Sequence, residues 1–483
     1  MGALRAAAAI TLFLLGSTIG LSAQGNLTWT PCVIPGLEGE VRCTKIPVPE
    51  VRGVDGGRRI EIHVAVARAR NESGRRTDPL WMIAGGPGQA ASGMGPFATT
   101  AFGRVREHRD IVLVDVRGTD RSAPLQCALY RTPAALLGET YPKAAVEFCR
   151  DSLAAHAVLT AYTTEQIVQD LEEVRRRLGG EKINLYGTSY GTRVALVYMR
   201  RFPGSIRAAI LKSAAPAAMR APTFYAPDGQ VAMEKLFSDC RAEGACAAAF
   251  SDLPVQLNRL LDRAERGELR VGLDVLGGAP GDSVALTRDL IAPILLGALQ
   301  SVHDAATLPA LIAMAAGGQL RPLTGLIAQY RRGLNTMIAT GMHLSVMCAE
   351  DTKLIDAAEA AREARGTFLG NARVRAQLGA CASWPAAPLP ADYASTVRST
   401  VPTLFVSGDL DPNTPARWAD SARAGFTRSW HVVLPGVAHS FSSAGTCGAE
   451  WMAAFLERAT GQGLDLSCVA GIRRPPFSPP PGN

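Results

Sequence analysis

Two alternating rhythms of apolar residues run along this chain. The stretches 59–69 ("RIEIHVAVARA"), 79–84 ("PLWMIA") and 110–116 ("DIVLVDV") are short and rich in β-branched and aliphatic residues, which predicts strands. "TEQIVQDLEEVRRRLGG" follows with a helical period and ends in glycine, as helices often do. Next come a strand in "INLYG", a helix over 190–201 and a strand in "IRAAILKS". After a long interval the rhythm returns, with strands at 403–408 and 430–436 and helices at 415–424 and 448–459. Strands alternating with helices predict an α/β fold with a mostly parallel central sheet.

The interval, 215–396, differs in character. It is rich in alanine and leucine, with amphipathic helical stretches at 230–250, 287–301, 305–330 and 353–365 and a short hairpin near 268–286. The pattern predicts a mainly helical cap inserted into the sheet domain, whose two parts are 24–214 and 397–483. The tail "RRPPFSPPPGN" is proline-rich and reads as extended, and no internal repeat is evident.

Residues 1–23 carry one arginine, an apolar stretch and then small residues around Ser22 and Ala23, the layout of a secretory signal peptide. No later apolar segment reaches the length of a membrane span without a charge. The mature protein is therefore expected to be exported, periplasmic or extracellular, with no stable membrane span. Ten cysteines agree with export and favour disulfides. They fall as neighbours along the chain: Cys32 and Cys43, Cys127 and Cys149, Cys240 and Cys246, Cys348 and Cys381, Cys447 and Cys468. Connectivity does not follow from sequence, and no spacing suggests a metal site. The 483 residues hold 50 Lys and Arg against 43 Asp and Glu, a net +7 that is scattered rather than clustered, so no nucleic-acid partner is expected.

The candidate chemistry centres on "INLYGTSYGTRV" at 183–194, a strand running through Gly187-Thr188-Ser189-Tyr190-Gly191 into a helix. A serine on such a turn is forced into a strained backbone, and flanking glycines let strand and helix pass close by. The hydroxyl is lifted clear of the sheet but becomes a nucleophile only beside a base. An acid and then a histidine should follow along the chain. His431 begins a strand and reads as fixed against the sheet; His439, in the loop after that strand, is the candidate base. Of Asp409 and Asp411 in "FVSGDLDPNTP", Asp411 lies farther out before Pro412 and is the candidate acid, with Asp409 capping the turn. An acyl-transfer site also needs donors for an oxyanion. The N–H of Tyr190 is one, and the loop Gly85-Gly86-Pro87-Gly88 after an early strand offers the other.

These pieces resemble the proline iminopeptidase and tripeptidyl aminopeptidase family of α/β-hydrolase serine peptidases. The matching stretches are "GGPG" at 85–88, "DVRGTDRS" at 115–122, "GTSYGT" at 187–192, "SGDLDPNTP" at 407–415 and "GVAHS" at 436–440. "CGAEWMAAFLERATGQGLDLSCVAGIRRPPF" resembles the tail region of the tripeptidyl aminopeptidase branch. The resemblance implies the α/β-hydrolase fold, with Ser189 as nucleophile, Asp411 as acid, His439 as base, and Gly86 with Tyr190 as oxyanion hole. It implies no cofactor. Ala84 stands where many relatives have histidine, and Asp120 where many have glycine. Asp115 and Arg117 read as holding their loop by ion pairing. In the cap, "MHLSVMCAEDTK" (342–353) also resembles a family stretch. An aminopeptidase must hold a peptide's charged N-terminus, which makes Glu350 and Asp351 candidate partners; the alternative is that one caps a helix and the other is solvated.

The reading is an exported serine aminopeptidase that removes short units, from single residues to tripeptides, from peptides with a free N-terminus. An esterase or lipase using the same residues on non-peptide acyl groups is the alternative, since specificity lies in the cap.

Overall fold

In chain order the strands are β1 (Thr30–Pro31), β2 (Val41–Pro49), β3 (Arg59–Ala67), β4 (Leu80–Ile83), β5 (Ile111–Val114), β6 (Ile183–Thr188), β7 (Ile206–Lys212), β8 (Arg270–Gly272), β9 (Ser283–Ala285), β10 (Thr403–Gly408) and β11 (Ser429–Leu434). They belong to a computed structural model that describes residues 27–441 and 445–479. The expected signal segment lies outside the described residues. Among those described, no helix is long and apolar enough to cross a membrane.

Nine strands form one sheet in the spatial order β1-β2-β3-β5-β4-β6-β7-β10-β11. The β1–β2, β2–β3 and β3–β5 pairs are antiparallel, and every pair from β5 to β11 is parallel. Every residue of β4, β5 and β10 is buried, as unbroken apolar runs require when helices cover both faces. Helices Thr164–Arg177 and Tyr190–Arg201 pack on one face through Ile167, Leu171, Val194 and Tyr198. Helix Cys447–Arg458 covers the other through Trp451, Phe455 and Leu456. The fold is the expected α/β architecture.

β2 was not legible as a strand because Pro47 and Pro49 interrupt it, and proline demotes a run from sheet interiors. It holds because Val41, Cys43, Ile46 and Val48 are buried while Lys45 and Pro47 face solvent.

Between β7 and β10 the chain is mainly helical, with the small β8–β9 hairpin where a hairpin was expected. Leu236, Leu260, Ile291, Leu295, Leu308, Ile312 and Ile327 form a separate apolar core there. Each such side chain removed from water contributes roughly 1.5–3 kcal/mol, and further along the insertion Met342, Leu344, Val346 and Trp384 join the core of the sheet domain instead. The stretch read as one helix over 305–330 is two, Val302–Ala316 and Arg321–Met337. Gly318, at φ 95°, turns the chain between them.

All ten cysteines pair with their sequence neighbours, as Cys32–Cys43, Cys127–Cys149, Cys240–Cys246, Cys348–Cys381 and Cys447–Cys468. The ion pairing expected around 115–117 is present with different partners. Arg117 is fully buried and grips Asp170, with Nε to Oδ2 at 2.6 Å and Nη2 to Oδ1 at 2.7 Å. Asp115 accepts the Ser92 amide at 2.8 Å and stands 3.1 Å from His63 Nδ1. Asp170 lies on a distant helix, and its approach was invisible along the chain.

Candidate active site

β4 lies between β5 and β6, so the chain leaves it to one side and later returns on the other. Crevices for ligands open at the carboxyl ends of parallel strands where the order reverses in this way. Gly85–Gly88 follows β4 and Ser189 follows β6 at that edge, while Asp411 and His439 follow β10 and β11.

Ser189 has φ 54° and ψ −125°, a strained conformation for a residue with a side chain. The glycines around it are required by space. A Cβ on Gly191 would lie 2.3 Å from the Ile83 carbonyl oxygen, and one on Gly187 2.7 Å from that of Gly191. The Ser189 amide donates to Lys212 O at 3.0 Å, and its carbonyl accepts from Thr192 Oγ1 at 2.6 Å. Its hydroxyl is half-buried and makes no hydrogen bond with a described residue.

Asp411 and His439 are brought together. His439 Nδ1 lies 2.8 Å from Asp411 Oδ2 and 3.0 Å from Oδ1. The carboxylate is fully buried and also accepts the Asn413 and Thr414 amides at 3.0 and 2.9 Å and the Thr414 hydroxyl at 2.8 Å. Burial alone would raise its pKa; His439 and these amides outweigh that and hold it well below the usual carboxylate range. With Nδ1–H directed at the acid, Nε2 is left as the basic nitrogen. No hydrogen bond joins it to Ser189 in this conformation, a common state of substrate-free sites. Asp409 accepts the Gly436 and Val437 amides, and His431 is pinned between Asp420 at 3.0 Å and Ser407 at 2.9 Å. Both are occupied in the turn and against the sheet, as the sequence suggested.

Gly86 has φ 108°, and neither its amide nor that of Tyr190 donates to an acceptor among the described residues. A cleft of about 820 Å³ runs beside this loop, bordered by Gly85, Gly88, Ser92, Asp120, Gln126 and Thr188. Asp120, at φ 33°, takes a backbone conformation that favours glycine.

Glu350 and Asp351 are not at the cleft, which corrects their expected role. Glu350 is 3% exposed and accepts the Thr164 amide and hydroxyl, both at 2.6 Å, and the Tyr393 hydroxyl at 2.7 Å. It caps helix Thr164–Arg177 from a distance, so the helix-capping alternative holds for this residue. Asp351 is fully buried rather than solvated, paired with Arg193 and accepting the Ala221 amide at 2.8 Å. Both carboxylates are buried with each oxygen already engaged inside the protein, so neither is presented to the cleft beside Gly85–Gly88.

Two neighbours of the candidate triad escaped the sequence reading. Thr414 Oγ1 stands 3.0 Å from His439 Nδ1 as well as bonding Asp411. A hydroxyl three residues after an aspartate in "DPNT" was the available signal. Lys212, the one cation at the end of the apolar strand β7, donates through Nζ to the His439 carbonyl and lies over the Phe441 ring at 4.3 Å. The same residue thus accepts the Ser189 amide on its carbonyl and donates to the His439 carbonyl from its ammonium.

Burial lowers the pKa of Lys212 to about 8, against a smaller opposing pull from Asp411. An unfolded lysine titrates at about 10.4, so between these values the unfolded chain binds a proton that the folded one lacks. The penalty for burying this charge is complete below pH 8 and fades as pH rises. Wild type should therefore gain stability over Lys212→Met by roughly 2–3 kcal/mol between pH 8 and 10.5. Denaturant melts of both proteins across this range measure it, and a flat difference would remove the buried ammonium from the account.

A family model described as alpha/beta hydrolase fold matches residues 78–241, and one described as TAP-like protein matches 366–468. By these matches the chain is a serine hydrolase of α/β-hydrolase fold with a TAP-like C-terminal region. Serine protease Hip1 of Mycobacterium tuberculosis is 27% identical to this hydrolase over 517 residues, covering 96% of each chain. The tripeptidyl aminopeptidase of Streptomyces coelicolor is 27% identical over 212 residues, 40% of this hydrolase and 38% of that protein. Among solved structures, proline iminopeptidase from Mycobacterium smegmatis is 16% identical, covers 86% of this hydrolase and 98% of that chain, and has a TM-score of 0.42.

Proposed function

We propose that this hydrolase is an exported serine peptidase that removes short units from the N-termini of peptides through an acyl-enzyme. His439 Nε2 takes the proton of Ser189 Oγ as that oxygen bonds to the scissile carbonyl carbon, and the Gly86 and Tyr190 amides hold the resulting oxyanion. The proton passes to the departing amine as the C–N bond breaks, and water then cleaves the ester by the same steps in reverse. Asp411 fixes the imidazole and stabilises its charged form. The observation that carries the reading is the Asp411–His439 pair, 2.8 Å apart at the edge where Ser189 is held in a strained turn. The peptide substrate rests on the names of the relatives, and export on the 1–23 segment together with five cysteine pairs.

For the substrate amine the reading turns to Asp120. Its side chain is half exposed, borders the cleft beside Gly85, and meets Ser92 Oγ at 3.2 Å and Arg121 Nε at 3.6 Å. The engagement of Glu350 and Asp351 favours the second reading, an esterase indifferent to a free amine. One panel separates them: the same peptidyl arylamide with a free and an acetylated N-terminus, beside a simple aryl ester. The peptidase reading expects the free amine to be preferred by at least ~10-fold in kcat/KM, falling toward unity in Asp120→Asn. Turnover of the ester alone would establish the esterase, and equal rates on both arylamides would overturn recognition of the free N-terminus.

A further inference from the structure

The loop that carries the Gly86 amide turns on glycines. Gly86 and Gly88 have φ 108° and 103°, and one hydrogen bond closes the turn from within, the Gln89 amide to the Gly85 carbonyl at 3.2 Å. Two more reach the loop from the helical insertion. The Ala339 amide donates to the Gly88 carbonyl at 2.9 Å, and His343 Nδ1 lies 3.3 Å from the Pro87 carbonyl oxygen. The segments meet closely enough that a Cβ on Gly88 would lie 2.8 Å from the Ala339 carbonyl oxygen.

His343 lies on helix Thr340–Ala349. A carbonyl oxygen only accepts, so the contact with Pro87 requires a proton on Nδ1, which is present in the charged ring and in one neutral tautomer. Burial lowers the pKa of His343 to about 4, which leaves Nε2 free to accept near neutral pH. The Tyr141 hydroxyl stands 3.1 Å from Nε2, and the two rings stack with centroids 6.5 Å apart. Hydrogen bonds thus run from the Tyr141 hydroxyl through the imidazole to the Pro87 carbonyl. The pyrrolidine ring fixes φ of Pro87, so anchoring its carbonyl also anchors the planar peptide that joins it to Gly86. The Gly86 amide lies one Cα beyond that peptide, and its swing is limited accordingly.

We propose that His343 is a positioning residue for the oxyanion hole, tying the loop that bears the Gly86 amide to the insertion through the Pro87 carbonyl. It acts on the reacting atoms only through Gly86, by keeping that donor aimed where the anion forms. One well-aimed donor is worth roughly 10²–10³ in rate, and a loosened one forfeits part of this. The inference rests on the Ser189 mechanism proposed above but not on the choice of substrate, since amides and esters pass through the same oxyanion.

The test compares an aryl ester with its thionoester, whose sulfur accepts hydrogen bonds weakly, on wild type, His343→Asn and His343→Gln. The asparagine amide overlays imidazole Nδ1 and still donates to Pro87, whereas the glutamine amide overlays Nε2 and serves only the Tyr141 side. Wild type should favour the oxygen ester by on the order of 100-fold in kcat/KM. His343→Gln should lower kcat on that ester by about 10–100-fold with KM little changed, slow the thionoester less, and bring the preference to roughly 10-fold or below. His343→Asn should stay within about threefold of wild type on both. A fluorophosphonate sets its phosphoryl oxygen in the same hole, so the labelling rate should follow the oxygen ester, and it decides the question if wild type cleaves arylamides alone. Thermal melts show whether each variant is folded; if the glutamine variant is not, a preference retained in the asparagine variant upholds the role and a lost one overturns it. A wild-type preference near unity overturns it too, as do glutamine at wild-type rates, asparagine as slow as glutamine, or an equal loss on both esters. A wild type that takes no label and cleaves neither ester nor arylamide refutes the Ser189 mechanism itself.

Discussion

Ser189→Ala is expected to lower kcat by ~10⁶ on arylamides and esters alike, because on the proposed reading its hydroxyl is the group that takes the acyl carbon. The residual rate should stay above that of water, since the amides of Gly86 and Tyr190 act on the oxyanion whatever the nucleophile. Thermal stability should hardly change. The hydroxyl has no hydrogen bond to lose, and alanine carries the same strain at φ 54°. Mass spectrometry after fluorophosphonate treatment is the cleanest measurement: one adduct on wild type, none on the variant. An adduct on the alanine protein, or turnover within tenfold of wild type, would place the nucleophile elsewhere.

Asp411→Asn should cost ~10⁴ in kcat while leaving the fold in place. The carboxylate receives the Asn413 and Thr414 amides on Oδ1 and the Thr414 hydroxyl on Oδ2, and the imidazole lies close to both oxygens. An asparagine satisfies the two amides only with its oxygen, which turns its NH₂ toward His439 and Thr414. Nδ1 must then accept, so the ring proton sits on Nε2, where a serine proton has to be received. There is also a stability signature. Because the folded acid titrates below its ordinary value, its contribution is complete above about pH 4 and is lost as pH falls through the folded value. The stability gap between wild type and variant should therefore close on acidification. A kcat within tenfold of wild type would refute the orienting role of Asp411.

The sheet and the strained serine turn were legible because each depended on local signals. Unbroken apolar runs gave β4, β5 and β10, and a serine between glycines gave the turn after β6, with Tyr190–Arg201 starting where the pattern changed period. What failed involved partners distant along the chain. Asp170 reaches Arg117 across 53 positions, and Thr164 reaches Glu350 across 186. A carboxylate in a cap segment looks the same in sequence whether it faces a substrate or a helix terminus. Lys212 was passed over for a related reason. A single basic residue in an apolar stretch reads as solvated until its surroundings are known.

All five sulfur bridges span short stretches, with separations of 6 to 33 residues. None ties the helical insertion to the sheet or staples the first strands to the last. Each bridge therefore closes within its own stretch of chain and needs no contact between distant segments to bring its thiols together. Among the described residues the insertion is instead held to the sheet domain by noncovalent contacts, such as the buried Arg193–Asp351 pair and the Ala339 amide on the Gly88 carbonyl at 2.9 Å, so reduction of the bridges leaves that seam in place.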